Sequence, residues 1–473
     1  MADTSKTPLK FAVVGGGISG LTAAYRLTKL LPQARVEIFE ASDRLGGVLA
    51  THGEGDFLIE RGADSFITRE PWGRELCEEL GLSGELIPTN TAHRRALVLH
   101  YGKLHPVPAG FVLIRPQRLW PIIKTPLLSW PGKLRLIAER WRKPPQGIDH
   151  DGFDDNLAHF ASERLGREAF EHLVEPLVAG IYTADANQLS VAATMPEALE
   201  ALRKNGTLWQ RDQVDAEASS GARYGSFVTL RGGMGRLVEA LRACLPAEAI
   251  HLNQSVEKIS HDEVGNWRLR FADGTSSESY AGVVLAVPAP RAAALIGEID
   301  ALLAGLLGEI SYASSAVVSF AFRGDQIERK LDGFGFVVPK IENRDIIAAS
   351  FSSVKFPGRA PDEMVLIRTF LGGALRPDLV DLPDAELERI ALAELTDILG
   401  ISGPPTMIDV VKWREKMPQY RVGHLELVQK IEERAAGVAG LALAGNGYRG
   451  VGIPYCVRSG DEAARRVTER FLS

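Results

Sequence analysis

Cysteine is scarce in this 473-residue chain: Cys77, Cys244 and Cys456 are the whole supply, far apart and in no metal-ligand spacing. That excludes a disulfide framework and a zinc knot, and it suits a reducing compartment. Long apolar runs are missing too. No stretch of about eighteen uncharged apolar residues occurs, so no transmembrane helix is expected. The polar opening Met1–Lys10 lacks both an Arg-rich amphipathic pattern and an apolar signal core, which makes the cytosol the expected location. Neither sign of charge dominates; the net charge of −6 leaves no nucleic-acid footprint. The ten histidines form no H-E-x-x-H pattern, no Ser-His-Asp set is evident, and no metal site is expected. Internal repeats and low-complexity segments are also lacking. Ordinary hydrophobic (45%) and charged (24%) contents at this length call for two or three soluble domains.

What is present is concentrated at the start. Phe11-Ala-Val-Val14 reads as a buried strand, followed by Gly15-Gly-Gly-Ile-Ser-Gly20 and a helix with Ala23, Ala24 and Leu27 on one face. This is G-x-G-x-x-G between strand and helix, the context in which the motif means dinucleotide binding. Gly15 permits a tight turn, Gly17 lets the backbone approach a pyrophosphate, and Gly20 allows helix to pack on strand. The helix N-terminus offers free N–H groups to the phosphates. A second strand, Arg35-Val-Glu-Ile-Phe-Glu40, ends on an acid suited to ribose hydroxyls.

Farther along, Glu60-Arg-Gly-Ala-Asp-Ser-Phe66 leads into a helix over Pro71–Leu80. Amphipathic helical period marks Asp154–Leu177 and Met195–Arg211 within a proline-punctuated middle. Leu230-Arg-Gly-Gly-Met-Gly-Arg-Leu237 opens a helix through Leu245. Strands are expected at Ile250–Ile259, Trp267–Phe271, Gly282–Val287, Ala316–Phe322 and Met364–Phe370, with a turn at Asp273-Gly274 and a helix at Asp384–Leu399. The chain then repeats its opening logic: the strand Leu441-Ala-Leu-Ala-Gly445, a glycine-rich turn to Gly452, and a helix from about Ser459 to Phe471. Such a unit suits a chain that returns to complete its nucleotide domain.

After Glu40, the element Ala41-Ser-Asp-Arg-Leu-Gly-Gly47 resembles the FAD signature of the flavin amine oxidase and porphyrinogen oxidase superfamily. The block Glu171-His-Leu-Val-Glu-Pro-Leu-Val-Ala-Gly-Ile-Tyr-Thr-Ala-Asp185, then Leu189-Ser190 and Ala193-Thr-Met-Pro196, looks like the oxygen-dependent porphyrinogen oxidases of haem biosynthesis. So do Tyr101-Gly-Lys-Leu-His-Pro-Val-Pro108, Arg231-Gly-Gly-Met234 and Ala444–Pro454 with Cys456 and Arg458-Ser-Gly460. The resemblance covers essentially the whole chain and implies an α/β fold, α+β in the substrate region. A discontinuous Rossmann-type FAD-binding domain (1–91, 226–298 and 405–473) is expected, with a helical, membrane-contacting domain (92–225) and a mixed-sheet substrate domain (299–404).

Carried across, FAD contacts fall on Gly15, Gly16, Gly17, Ile18, Ser19, Gly20, Glu40, Ala41, Arg44, Gly47 and Val48. Gly62, Ala63, Asp64 and Ser65 would lie near the flavin, Val256 beside the adenine, and Val451, Gly452 and Ile453 against the flavin ring. There the helix dipole would favour the anionic reduced flavin. Tyr455 and Asp64 depart from residues common among relatives, which touches flavin electronics and substrate fit. The family oxidises a porphyrinogen to a porphyrin in three two-electron rounds, each passing a hydride to flavin N5, with dioxygen leaving as hydrogen peroxide. The flavin carries the redox step, so no catalytic side chain is expected; His172 reads as a core or surface histidine. Arg95, Lys103 and Arg115 are the candidates for substrate propionates.

Coproporphyrinogen III and protoporphyrinogen IX stay open as substrates. So do two other readings: an amine oxidase-like enzyme, with Cys456 raising the question of covalent flavin though non-covalent FAD is expected, and a non-catalytic FAD-binding protein. The implied partners are the porphyrinogen, dioxygen, a membrane surface and a second copy of the chain, without nucleic acid. For the membrane, Arg115–Lys143 carries eight basic residues against Glu139 alone, interleaved with Trp120, Trp130 and Trp141. That is the chemistry of an interfacial contact, and equally of a packed subdomain with a snorkelling basic face.

Overall fold

The architecture was obtained as a computed structural model that describes residues 8–209 and 227–472. Its centre is a five-stranded parallel sheet ordered Ile250–His251, Arg35–Phe39, Lys10–Val14, Gly282–Leu285 and Leu441–Leu443. Parallel strands need both faces covered, and the alternation along the first strand shows how. Phe11 and Val13 enter one core with the helices Ile18–Leu30 and Ile453–Leu472. Ala12 and Val14 enter another with Trp267, Tyr280, Leu303 and Val428. The last helix starts at Ile453, six residues before the expected Ser459, because the glycine-rich turn ends sooner.

A seven-stranded mixed sheet forms the second layer. A long strand second from one edge, Tyr312–Arg323, pairs antiparallel with both Met364–Gly372 and Met407–Pro418. Ile346–Phe351, Gly335–Val337, Leu97–His100 and Lys103–Pro106 extend it. The strands Leu97–His100 and Lys103–Pro106, expected with the helical part, and Met407–Pro418, expected with the nucleotide part, therefore lie in this sheet. Leu97, Leu99 and Leu104 share a core there with Phe320, Phe336 and Leu395, while Val98 packs into the helical core.

The middle of the chain is helical around its own core. The stretch expected over Asp154–Leu177 is broken. Asn156 caps the helix Leu157–Leu165 by accepting the His159 N–H at 2.8 Å, and Gly166 at φ +98° ends it. The chain resumes through a π-helical turn, Phe170–Val174, into Glu175–Tyr182. Of Met195–Arg211, Pro196–Asn205 is helical and Arg211 lies outside the described residues. The fully buried pair Glu139–Arg164 ties this region; Glu139 also accepts from Thr207 Oγ1 (2.5 Å) and Leu208 N–H (3.0 Å), as a buried charge requires.

The helices Ile18–Leu30 and Ile453–Leu472 touch backbone to backbone at Gly460, where a Cβ would sit 2.3 Å from Ser19 O. Gly460→Val is expected to destabilise the fold by about 1–3 kcal/mol through overpacking, measured by denaturant unfolding of purified protein. Unchanged stability would show that this contact can relax.

Candidate functional site

The glycine loop after Lys10–Val14 is shaped by backbone geometry. Gly15 has φ +105°, and a Cβ there would meet Ala286 O at 2.4 Å, so both conformation and space demand glycine. The first intrahelical bond runs from Leu21 N–H to Gly17 O (2.9 Å), leaving the N–H groups of the helix's first turn ahead of its axis. A Cβ added at Gly17 meets nothing within 4 Å. That open face is a cradle which any side chain would fill, and it fits a pyrophosphate held at a helix N-terminus.

The other expected contacts converge on the same loop. Glu40 accepts the Gly16 N–H (2.7 Å) through one oxygen, and the Ser42 N–H (2.9 Å) and Oγ (2.7 Å) through the other. The second glycine pair abuts the first loop: Gly46 N–H donates to Gly16 O at 2.8 Å. Arg44 shapes that turn by donating to Gly47 O at 2.6 Å, and stacks 5.8 Å over Trp413. Asn253 and Gln254 donate backbone N–H groups to Ser42 O and Glu40 O, which brings Val256 beside the ribose acid.

The C-terminal glycine loop is held by two side chains that pattern reading missed. Tyr420 Oη donates to Asn446 O (2.6 Å) and accepts the Gly450 N–H (2.8 Å). His424 stacks on Tyr420 at 4.0 Å, with Nε2 2.8 Å from Tyr448 O; burial lowers its pKa to about 4, so the ring is neutral. Gly452 has only Pro454 and Tyr455 near its missing side chain, both at 3.7 Å, leaving its face open. Tyr455 packs on Trp72, with rings 5.7 Å apart. Burial pushes the Cys456 thiol up to about 11, which keeps it protonated and argues against a thioether to flavin.

Gly62–Ser65 leads from beside the second glycine pair into Phe66–Ile67, which contacts the helix Ile453–Leu472. At one end Gly62 presses on Val48, where a Cβ would lie 1.8 Å from its carbonyl oxygen; a few residues on, Gly73 lies against Pro454. Asp64 sits in a cage of charge. Lys355 Nζ donates to both its oxygens at 2.9 Å, Ser65 Oγ donates at 2.7 Å, and Arg368 lies 3.5 Å away while also bonding Gly62 O. Burial alone would raise the Asp64 pKa, but Lys355 and Arg368 outweigh it and hold the carboxyl well below its usual range. Nearby, Arg359 donates to Arg231 O, Thr229 Oγ1 and Leu230 O, and buried Glu60 accepts from Met234 N–H and Thr51 Oγ1. Lys355, Arg359 and Arg368 went unrecognised in the sequence. The available signal was Arg368 alone in the otherwise uncharged strand Met364–Gly372.

Arg95 is engaged by Asp332, through its carbonyl oxygen at 2.6 Å and its carboxylate at 3.2 Å. Lys103 is exposed on a hairpin, and Arg115 lies in a two-residue ladder with Val112. His172 faces another histidine, Nδ1 to Nδ1 of His100 at 3.0 Å, and burial lowers the pKa of both. Trp120, Trp130, Leu134 and Trp141 are exposed in the basic segment, whose one acid, Glu139, is buried.

Comparison with known proteins agrees with this geometry. Residues 18–468 match the family model described as flavin containing amine oxidoreductase. Coproporphyrinogen III oxidase of Bacillus subtilis is 31% identical over 95% of this chain and 96% of its own. The enzyme of the same name from Propionibacterium freudenreichii is 33% identical over 98% and 91%. A crystal structure from Exiguobacterium sp. 255-15, described as a protoporphyrinogen oxidase, superposes with TM-score 0.86 at 31% identity, covering 98% of this chain and 100% of that one.

Because a Gly17 side chain would enter open space, Gly17→Leu is expected to match the stability of flavin-stripped wild type within about 0.5 kcal/mol, yet to purify without flavin. Absorbance near the flavin bands, set against thermal unfolding of the same sample, checks both halves. Flavin retained at wild-type stoichiometry would place the pyrophosphate somewhere else.

Proposed function

Because this chain belongs to the flavin containing amine oxidoreductase family, we propose that it is an FAD-dependent oxidase of haem biosynthesis that converts a porphyrinogen to the porphyrin. The observation that carries this reading is the pair of strand–glycine–helix turns at one end of the parallel sheet, in a chain similar throughout to porphyrinogen oxidases. Coproporphyrinogen III is the favoured substrate, since both curated relatives named above act on it by name. Protoporphyrinogen IX is the second reading, favoured by the description of the Exiguobacterium structure.

Bound FAD supplies the hydride acceptor and the route of electrons to dioxygen. The chain's own residues bind and orient. The first-turn N–H groups of Ile18–Leu30 meet the pyrophosphate, with the open face of Gly17 admitting it. Glu40, already oriented by the Gly16 and Ser42 donors, takes the ribose hydroxyls. Val256 bounds the adenine end. Val451, Gly452 and Ile453 back the ring, where the N-terminus of the 20-residue helix Ile453–Leu472 directs its dipole. Tyr420 and His424 fix that loop so that the reacting carbon and the ring keep one geometry. No side chain serves as an essential base. His172 is turned to His100, outside this arrangement.

No helix of the described residues is long and apolar enough to cross a membrane. A cytoplasmic protein that visits the membrane surface accommodates both that fact and the exposed tryptophans. With Glu139 buried against Arg164, the face around Trp120, Trp130 and Trp141 presents Lys124, Arg140, Arg142 and Lys143 without a counter-charge from its own segment.

Anaerobic mixing with coproporphyrinogen III is expected to bleach the flavin. In air, peroxide and porphyrin should form together at about three to one, one peroxide for each two-electron round. Protoporphyrinogen IX run in parallel decides the substrate, whereas bleaching by amines alone would overturn the reading. His172→Ala should lower the rate modestly; total loss with FAD still bound would show that a side chain does the chemistry. Sedimentation with anionic liposomes should capture the protein at low salt and release it at high salt, each exposed basic residue contributing about 1 kcal/mol. Equal partitioning at both salts would return the segment to a packed basic face.

A further inference from the structure

The wall at Gly62–Ser65 holds an uneven set of buried charges. Lys355, Arg359 and Arg368 are 9%, 1% and 2% exposed, against the carboxylates of Glu60 and Asp64. Burial raises the pKa of Glu60 despite the donors around it. Arg359 is satisfied by three acceptors and Lys355 by Asp64 and Ser65. Arg368 is not: one nitrogen bonds Gly62 O, another is 3.5 Å from Asp64, and its buried Nε–H has no acceptor. A buried cation in excess is stable when an anion lies close by. Gly62, whose carbonyl oxygen Arg368 grips, is pressed against Val48, next to the second glycine pair Gly46-Gly47.

We propose that Lys355 and Arg368 are positioning residues for the redox step, whose excess positive charge favours the reduced cofactor, with Asp64 as the counter-charge that meters it. The inference rests on the FAD reading above. Reduction delivers a hydride, one proton and two electrons, to a neutral ring and leaves one net negative charge. A fixed cation nearby therefore raises the equilibrium fraction reduced. A purely structural bridge between the seven-stranded sheet and the nucleotide unit would use the same contacts but would not give opposite signs on removing opposite charges.

The test is the midpoint potential of bound FAD in the holoprotein, by equilibration with a reference dye. Lys355→Met is expected to lower the reduced-to-oxidised ratio about tenfold, roughly 30 mV for a two-electron couple. Asp64→Asn should raise it by a similar factor, and Lys355→Arg should stay within about twofold of wild type. If Lys355→Met loses its flavin, Lys355→Gln carries the same measurement. Shifts of the same sign for the lysine and aspartate variants, or none, would overturn the proposal. A wild-type protein without flavin would instead sink the FAD reading itself, so the two failures are distinguishable.

Discussion

Parallel strand pairing is the constraint from which the other features follow. A parallel neighbour must arrive from a distant part of the chain, and here Lys10–Val14 is flanked by Arg35–Phe39 on one edge and Gly282–Leu285 on the other, with Leu441–Leu443 outside the latter. Registering these strands places two strand-to-helix turns at one end of the sheet. One carries Gly15–Gly20 and the other Gly445–Gly452. Ligands of open α/β sheets bind outside the carboxyl ends of the strands for this reason. The cradle is a consequence of the ladder, and side chains refine it.

The refinement is done by groups that are buried or half-buried. Tyr420 and His424 grip the backbone of the closing loop, and Arg61 forms a two-nitrogen pair with Asp409 while Trp413 bonds its carbonyl oxygen. Each such contact joins the seven-stranded sheet, or the helix that follows it, to the nucleotide unit. The two layers are therefore fastened by polar interactions whose loss would leave buried partners unsatisfied.

The scaffold was legible because its signals are local. A short apolar strand, glycines at fixed offsets and an acid at the next strand end can all be read within forty residues, and the resemblance rests on such runs. The charged wall was not legible, since Asp64 and Lys355 lie 291 residues apart and only the folded sheet introduces them. Arg95 shows the converse: its chemistry suits a propionate, and only the folded chain sets Asp332 beside it. The helical stretch Asp154–Leu177 misled for a local reason, because its apolar period carries through Gly166 while the backbone there turns to φ +98°.

The late position of Leu441–Leu443 has a bearing on biosynthesis. A chain emerging from the ribosome at about 5–20 residues per second can assemble the first glycine loop early, yet the outer edge of the sheet and the ring-facing loop come only with the last thirty-odd residues. Until then Val283 and Leu285 lack their outer neighbour, and the faces later covered by Ile453–Leu472 stay apolar and open. The first glycine loop is thus made well before the strand that brings the second, and the cradle is complete only once both are paired in one sheet.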